Sequence, residues 1–177
     1  TQMNCYSFQN GDCEQLKVTN DFISLVQIQA RKMFQIVHLN DMLRLESNTF
    51  QKFKRLSYIY GLNIRSLEKK ALEKSFSLLS FQMPLINRIG ELAFFNCANL
   101  QFVSCGASEL EAEAFAFCSN LKVVVMNSCQ EIPECCFQHC YSLQVGEFAS
   151  VHTIKQLAFE GCDSLVTLKM PLLSSGT

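Results

Sequence analysis

A period of 22 residues governs this chain. From Phe50, the positions Leu72, Phe94, Phe115, Phe137 and Phe159 follow at steps of 22, 22, 21, 22 and 22, and one further step back lands on Ile28. With these as column zero, an aliphatic stands five residues earlier at Ile23, Leu45, Leu67, Ile89, Leu110, Ile132 and Ile154. Something small usually stands one residue earlier (Ala71, Ala93, Ala114, Cys136, Ala158). Column three holds Cys97, Cys118, Cys140 and Cys162, replaced upstream by Arg31, Phe53 and Ser75. Column six holds Phe34, then Leu56, Leu78, Leu100, Leu121, Leu143 and Leu165. Matched columns at a fixed interval are the mark of stacked units, none of which can bury its apolar face alone.

Each unit divides in two. Around columns six to eleven, Val, Ile, Phe and Leu alternate with polar residues, as in Val103 and Cys105 or Val124 and Met126. That period of two predicts a short strand, one per unit, stacked into a parallel sheet. The apolar spacing of the other half suits a loose helical or 3₁₀ turn. The expected fold is therefore an α/β repeat: a right-handed solenoid with strands on its concave face and short helical turns on its convex face. Residues 1–22 read as a degenerate N-terminal repeat or cap, 23–173 as seven units, and 174–177 as a tail. Thr1 at the start, and an end just after a complete unit, suggest a piece of a longer repeat protein.

The pattern Ile-x-x-x-Ala-Phe-x-x-Cys-x-x-Leu-x-x-Val, with Met83-Pro84 and Met170-Pro171 after two strands, resembles the BspA-like (Treponema-type) leucine-rich repeat. The resemblance covers residues 23 to 173. It implies a curved solenoid of the kind found in bacterial surface proteins and parasitic protists, acting in adhesion and protein or glycan binding.

Ten cysteines would ordinarily suggest a disulfide framework. The register gives at least eight of them an apolar column, as small buried hydrophobes. Cys5 and Cys135 lack one and are expected to be the reactive thiols. Cys135, Cys136, His139 and Cys140 offer soft, zinc-like ligands, but their columns send Cys136 and Cys140 inward and His139 into the polar turn. No metal and no cofactor is assigned. The histidines His38, His139 and His152 fall in different units, and Glu111 and Glu113 read as a solvated face, so no catalytic residue is assigned either.

Columns eight and ten should point out of the sheet, since successive strand residues alternate sides. His38, Tyr58, Tyr60, Phe102, Ser104, Val123 and Val125 fall there and form the candidate binding face, centred on His38, Tyr58, Tyr60 and Phe102. Charge offers a second candidate. Residues 31–88 hold eleven Lys and Arg against four acids, and residues 89–177 hold three against nine. Lys52, Lys54, Arg55, Lys69, Lys70 and Lys74 would form a basic convex ridge suited to an acidic or phosphorylated partner. With a total net charge of −1, nothing in the overall balance favours nucleic acid. No apolar run reaches the length of a membrane span.

The leading expectation is a non-catalytic binding or adhesion module that takes a protein or glycan on its concave face, at the cell surface or secreted. The alternative is a cytoplasmic scaffold using the basic ridge. Self-association through the solenoid ends is a further expectation.

Overall fold

The computed structural model describes the backbone of residues 4–9 and 12–17 and the whole of residues 35–39 and 42–173. Ile23, Ile28, Arg31 and Phe34 lie outside the described residues, as do the side chains of Cys5 and Cys13. An antiparallel hairpin of β1 (Asn4–Gln9) and β2 (Asp12–Lys17) opens the chain. Leu16 in β2 lies level with Val37, because β2 runs parallel to β3 (Ile36–His38).

Each later unit contributes two strands. The first ladder is built from three-residue strands: β3, β5 (Tyr58–Tyr60), β7 (Ser80–Gln82), β9 (Phe102–Ser104), β11 (Val123–Val125), β13 (Val145–Glu147) and β15 (Thr167–Lys169). A second ladder consists of two-residue strands: β4 (Arg44–Leu45), β6 (Ser66–Leu67), β8 (Arg88–Ile89), β10 (Glu109–Leu110), β12 (Glu131–Ile132) and β14 (Thr153–Ile154). All pairings after the hairpin are parallel and in register, so like columns meet: Ile36, Tyr58 and Ser80 in one row, Phe102, Val123 and Val145 in another. In the first ladder, column nine points inward: Val37, Ile59, Val103 and Val124 are fully buried.

The expected helical turns are not there. The described residues contain no helix, and the α/β expectation gives way to an all-β solenoid. The reason lies in the backbone at columns minus two and two: Asn48, Lys52, Lys70, Lys74, Leu92, Asn96, Glu113, Phe117, Cys135, His139, Leu157 and Gly161 all adopt left-handed φ, between 52° and 70°. A right-handed helix cannot pass through such residues. Column-one and column-three N–H groups close tight i→i+3 turns, as in Glu73 to Lys70 O at 3.2 Å and Ser75 to Leu72 O at 3.1 Å. The alternate N–H groups are freed to reach the next unit. Lys70 donates to Glu91 O at 2.9 Å, Leu72 to Ala93 O at 2.8 Å and Lys74 to Phe95 O at 2.8 Å, and the same three bonds recur from unit to unit.

Eleven of these twelve left-handed residues are not glycine, and each carries the Cβ penalty that glycine escapes. Leu157 is half exposed and its side chain contributes little packing. Leu157→Gly should therefore leave stability unchanged or raise it by up to about 1 kcal/mol, whereas β-branched Leu157→Val should lower it by about 1–2 kcal/mol. Urea midpoints of the two variants check this; equal midpoints would remove the backbone argument.

The core is one continuous cluster. At its centre the column-zero rings stack: Phe94 on Phe115 at 4.9 Å, Phe115 on Phe137 at 5.5 Å, Phe137 on Phe159 at 5.4 Å, with ring planes within 15°. Where Gly146 stands in the inward column nine, Phe148 fills the space, and a Cβ on Gly146 would lie 2.8 Å from that ring. Column three has a polar role as well as a packing one. The thiols of Cys97, Cys118, Cys140 and Cys162 donate to the column-zero carbonyls of Leu72, Phe94, Phe115 and Phe137, at 3.2–3.3 Å. Ser75 makes the same bond to Phe50 O at 2.9 Å. Serine therefore substitutes for cysteine at this column for a chemical reason: both are small donors.

Candidate binding face

The outward side of the first ladder carries columns eight and ten. Ser104 is exposed, Phe102 is 52% exposed, and His38, Tyr58, Tyr60, Val123 and Val125 are half-buried. His38 and Tyr60 stack at 5.0 Å with planes 13° apart. The four residues expected at the centre do not form one cluster. Tyr58 and Tyr60 stand on β5 and Phe102 on β9, with β7 and its Ser80 and Gln82 between them. That is about 10 Å, two strand spacings.

The first ladder is interrupted beside Phe102. Strands β1, β2, β3, β5 and β7 make one sheet, and β9, β11, β13 and β15 another. At the other junctions an N–H just past the strand reaches the neighbouring strand end: Gly61 to Gln82 O at 2.9 Å, Cys105 to Val125 O at 3.2 Å and Met126 to Glu147 O at 2.9 Å. The equivalent bond from Met83 N–H to Ser104 O is not made, nor is the one from Phe102 N–H to Leu79 O. Between β7 and β9 lies a groove of about 340 Å³, lined by Leu62, Ser80, Phe81, Gln82, Met83, Pro84, Phe102 and Ser104.

The second ladder breaks one step later, between β10 and β12. Both breaks flank the single 21-residue step, Phe94 to Phe115, whose missing residue falls in the connection from β9 to β10. β9 and β10, which the shortened connection joins, each keep one neighbour in register, β11 and β8, and are unpaired with the other.

The basic residues are placed differently from one another. Lys52, Lys54 and Arg55 are exposed. Lys69 is paired with Glu91 at 2.7 Å, and Lys74 with Glu73 at 3.1 Å while its ammonium lies 5.8 Å from the Phe95 ring. Glu73 is buried, which pushes its carboxyl up, but a hydrogen bond from the Gln51 amide and the charges of Lys74 and Lys70 outweigh burial and hold it below the ordinary carboxylate range. Arg88 joins Glu68 at 2.9 Å and also Glu111 on the adjoining turns. The ridge is thus tied into the acids of its own surface at several points.

The turns carry an aromatic series that the periodicity did not reveal. Phe95, Phe117, His139 and Tyr141 follow one another at 5.3, 4.7 and 5.5 Å, all partly exposed. Their positions lie one and two residues after column zero, plus Tyr141 four after, so only the left-handed turns bring them to one side.

All eight described cysteines are free thiols. Burial pushes Cys97 up to about 12, with Cys118, Cys136 and Cys140 raised well above the ordinary range for the same reason. Cys135 is half-buried; burial, then Glu134, Glu113 and Glu160, disfavour its thiolate. Accessible by position, it is therefore a sluggish nucleophile. No group of three or more His, Cys, Asp or Glu among the described residues is placed to hold a metal. Among the described residues no helix is long and apolar enough to cross a membrane.

Residues 3–101 and 65–175 match the BspA type leucine rich repeat region, in six copies. No curated protein matches the chain in sequence. Among solved structures, a leucine rich repeat protein of T. pallidum superposes with a TM-score of 0.71 at 19% identity, covering 89% of this chain and 74% of the other. A leucine rich cell surface protein of Faecalibacterium prausnitzii gives 0.59 at 19% identity over 81% of this chain and 44% of that one. A leucine-rich repeat protein of Bacteroides ovatus gives 0.54 at 16% identity over 97% of this chain and 52% of that one. Identities this low carry the fold alone.

Proposed function

The chain belongs to the BspA-type leucine-rich repeat family, and from that premise we infer that it is a non-catalytic interaction module which binds a protein or glycan through the outward, concave face of its first ladder. One observation carries this reading: the solvent-facing columns hold the ring of Phe102, the stacked pair His38 and Tyr60, and Tyr58, Val123 and Val125, residues that serve no core purpose there. An exposed ring such as Phe102, and half-buried aromatics on the same outward side, are the kind of residue that anchors a protein interface. The cell-surface character of the F. prausnitzii relative supports a place at the surface.

Tyr58→Ala and Phe102→Ala each test this. Both should weaken capture of the partner retained by the wild-type chain by about 30-fold or more, the cost of losing an interface anchor. Both should leave thermal unfolding within about 0.5 kcal/mol of wild type, as for surface substitutions. Undiminished capture by both variants would remove the face from the function. A large loss of stability would show the rings to be packing residues.

A further inference from the structure

Six described turns, from the one at Phe50 to the one at Phe159, stack in register, because bonds such as Lys52 N–H to Glu73 O and His139 N–H to Glu160 O join like columns along the series. Five spacings of about 4.8 Å make the turn surface about 24 Å long. Its charge reverses along that length. The turns of residues 47–55 and 69–77 hold six Lys or Arg against one acid, Glu73, whereas those of residues 112–120, 134–142 and 156–164 hold four acids and no Lys or Arg. Lys52, Lys54, Glu134, Glu160 and Asp163 are exposed, and none of them makes an ion pair within the described residues. Between the two ends lie Phe95 and Phe117, packed at 5.3 Å and partly exposed, with the exposed Phe76 and Tyr141 farther out on either side.

We infer that this turn surface is a dimer interface, and that its partner is a second copy of this chain lying antiparallel to the first. A two-fold axis that crosses the stack between the Phe95 and Phe117 turns sets the first turn opposite the sixth, the second opposite the fifth and the third opposite the fourth. Running along the chain direction of the turns, it also keeps each column opposite itself. Column four then pairs Lys54 with the second copy's Asp163, and Phe76 with its Tyr141. Lys52 comes opposite Gly161, beside Glu160, and Lys70 opposite Cys135, beside Glu134. The Phe95 and Phe117 rings of both copies meet at the axis, so an apolar centre is ringed by opposite charges, as in a protein interface. The other face-to-face arrangement, with the axis along the stack, would set lysine against lysine. The inference goes beyond the proposed binding face: columns eight and ten stay uncovered, and the dimer would present that face twice.

Sedimentation velocity at low salt should show a monomer–dimer equilibrium with a Kd on the order of 10 μM, weakened about tenfold or more in about 0.5 M NaCl. Lys54→Glu and Asp163→Lys should each weaken self-association by about tenfold, since each contact occurs twice in the dimer. Mixed in equal amounts, the two variants should pair with each other about as tightly as wild type, because both column-four contacts are again of opposite sign. Both positions are exposed, so thermal unfolding should be unchanged. A chain that stays monomeric at about 200 μM, a mixture that associates no more tightly than the separate variants, or assemblies that grow past a dimer through the ends of the stack would overturn the assignment.

Discussion

Raising the pH from about 8 to about 10.5 should unfold this chain through its buried thiols. Cys97, Cys118, Cys136 and Cys140 are fully buried, and burial keeps them protonated far above the pH at which an unfolded cysteine, with a pKa of about 8.5, ionises. Their folded pKa values are raised, so their contribution to stability is whole below about pH 8.5 and drains away as pH climbs towards the folded values. Above pH 9.5 each such thiol removes about 1.4 kcal/mol per pH unit, and four together remove on the order of 5, comparable with the whole stability of an ordinary domain. Urea midpoints measured from neutral to alkaline pH would trace the loss. The control is the triple variant Cys97→Ser, Cys118→Ser, Cys140→Ser. Ser75 shows that serine can occupy this column and make the same bond to the carbonyl, without a group that titrates. The variant should lose about half of the alkaline slope, because Cys105 and Cys162, both pushed up to about 11, keep contributing alongside Cys136, and an unchanged slope would mean that the column does not govern alkaline stability.

Phe115→Ala should cost about 3–5 kcal/mol, the usual penalty for emptying a buried aromatic site. The ring is fully buried and sandwiched between Phe94 and Phe137, and each stacked pair contributes about 0.5–1.5 kcal/mol beyond its buried area. Phe115→Leu should cost much less, because Leu72 shows that the column accepts leucine with full burial. A denaturation midpoint for Phe115→Ala within about 1 kcal/mol of wild type would mean that the rings are not central to cohesion between units.

Much of this architecture could be read from residue order. The phenylalanine count gives the interval at which the strands of both ladders recur, and the inward column nine and outward columns eight and ten of the first ladder follow from simple alternation. The second ladder escaped because two residues, such as Ser66 and Leu67, are too few to show a period. The helical expectation failed because apolar spacing carries no information about the sign of φ. Lys70, Leu92 and Glu113 give no sign of the left-handed backbone they adopt, and only Gly161, Asn48 and Asn96 hint at it. The column-three cysteines looked like plain hydrophobes until each sulfur was seen 3.2–3.3 Å from a carbonyl, a bond that the lone Ser75 had already hinted at. The groove was invisible for a different reason. The single 21-residue step is plain in the count, but which strands it would separate depends on stacking.

That short step has a mechanical consequence. The backbone bonds between units run along the long axis of the stack, so tension applied at its two ends loads the junctions in series, and the weakest yields first. The junction between β7 and β9 holds fewer of those bonds than its neighbours. Under a pull the first ladder would open there before it opened elsewhere, leaving the β8–β10 pairing and the turn bonds of that junction to carry the load as a compliant seam between two stiffer stretches.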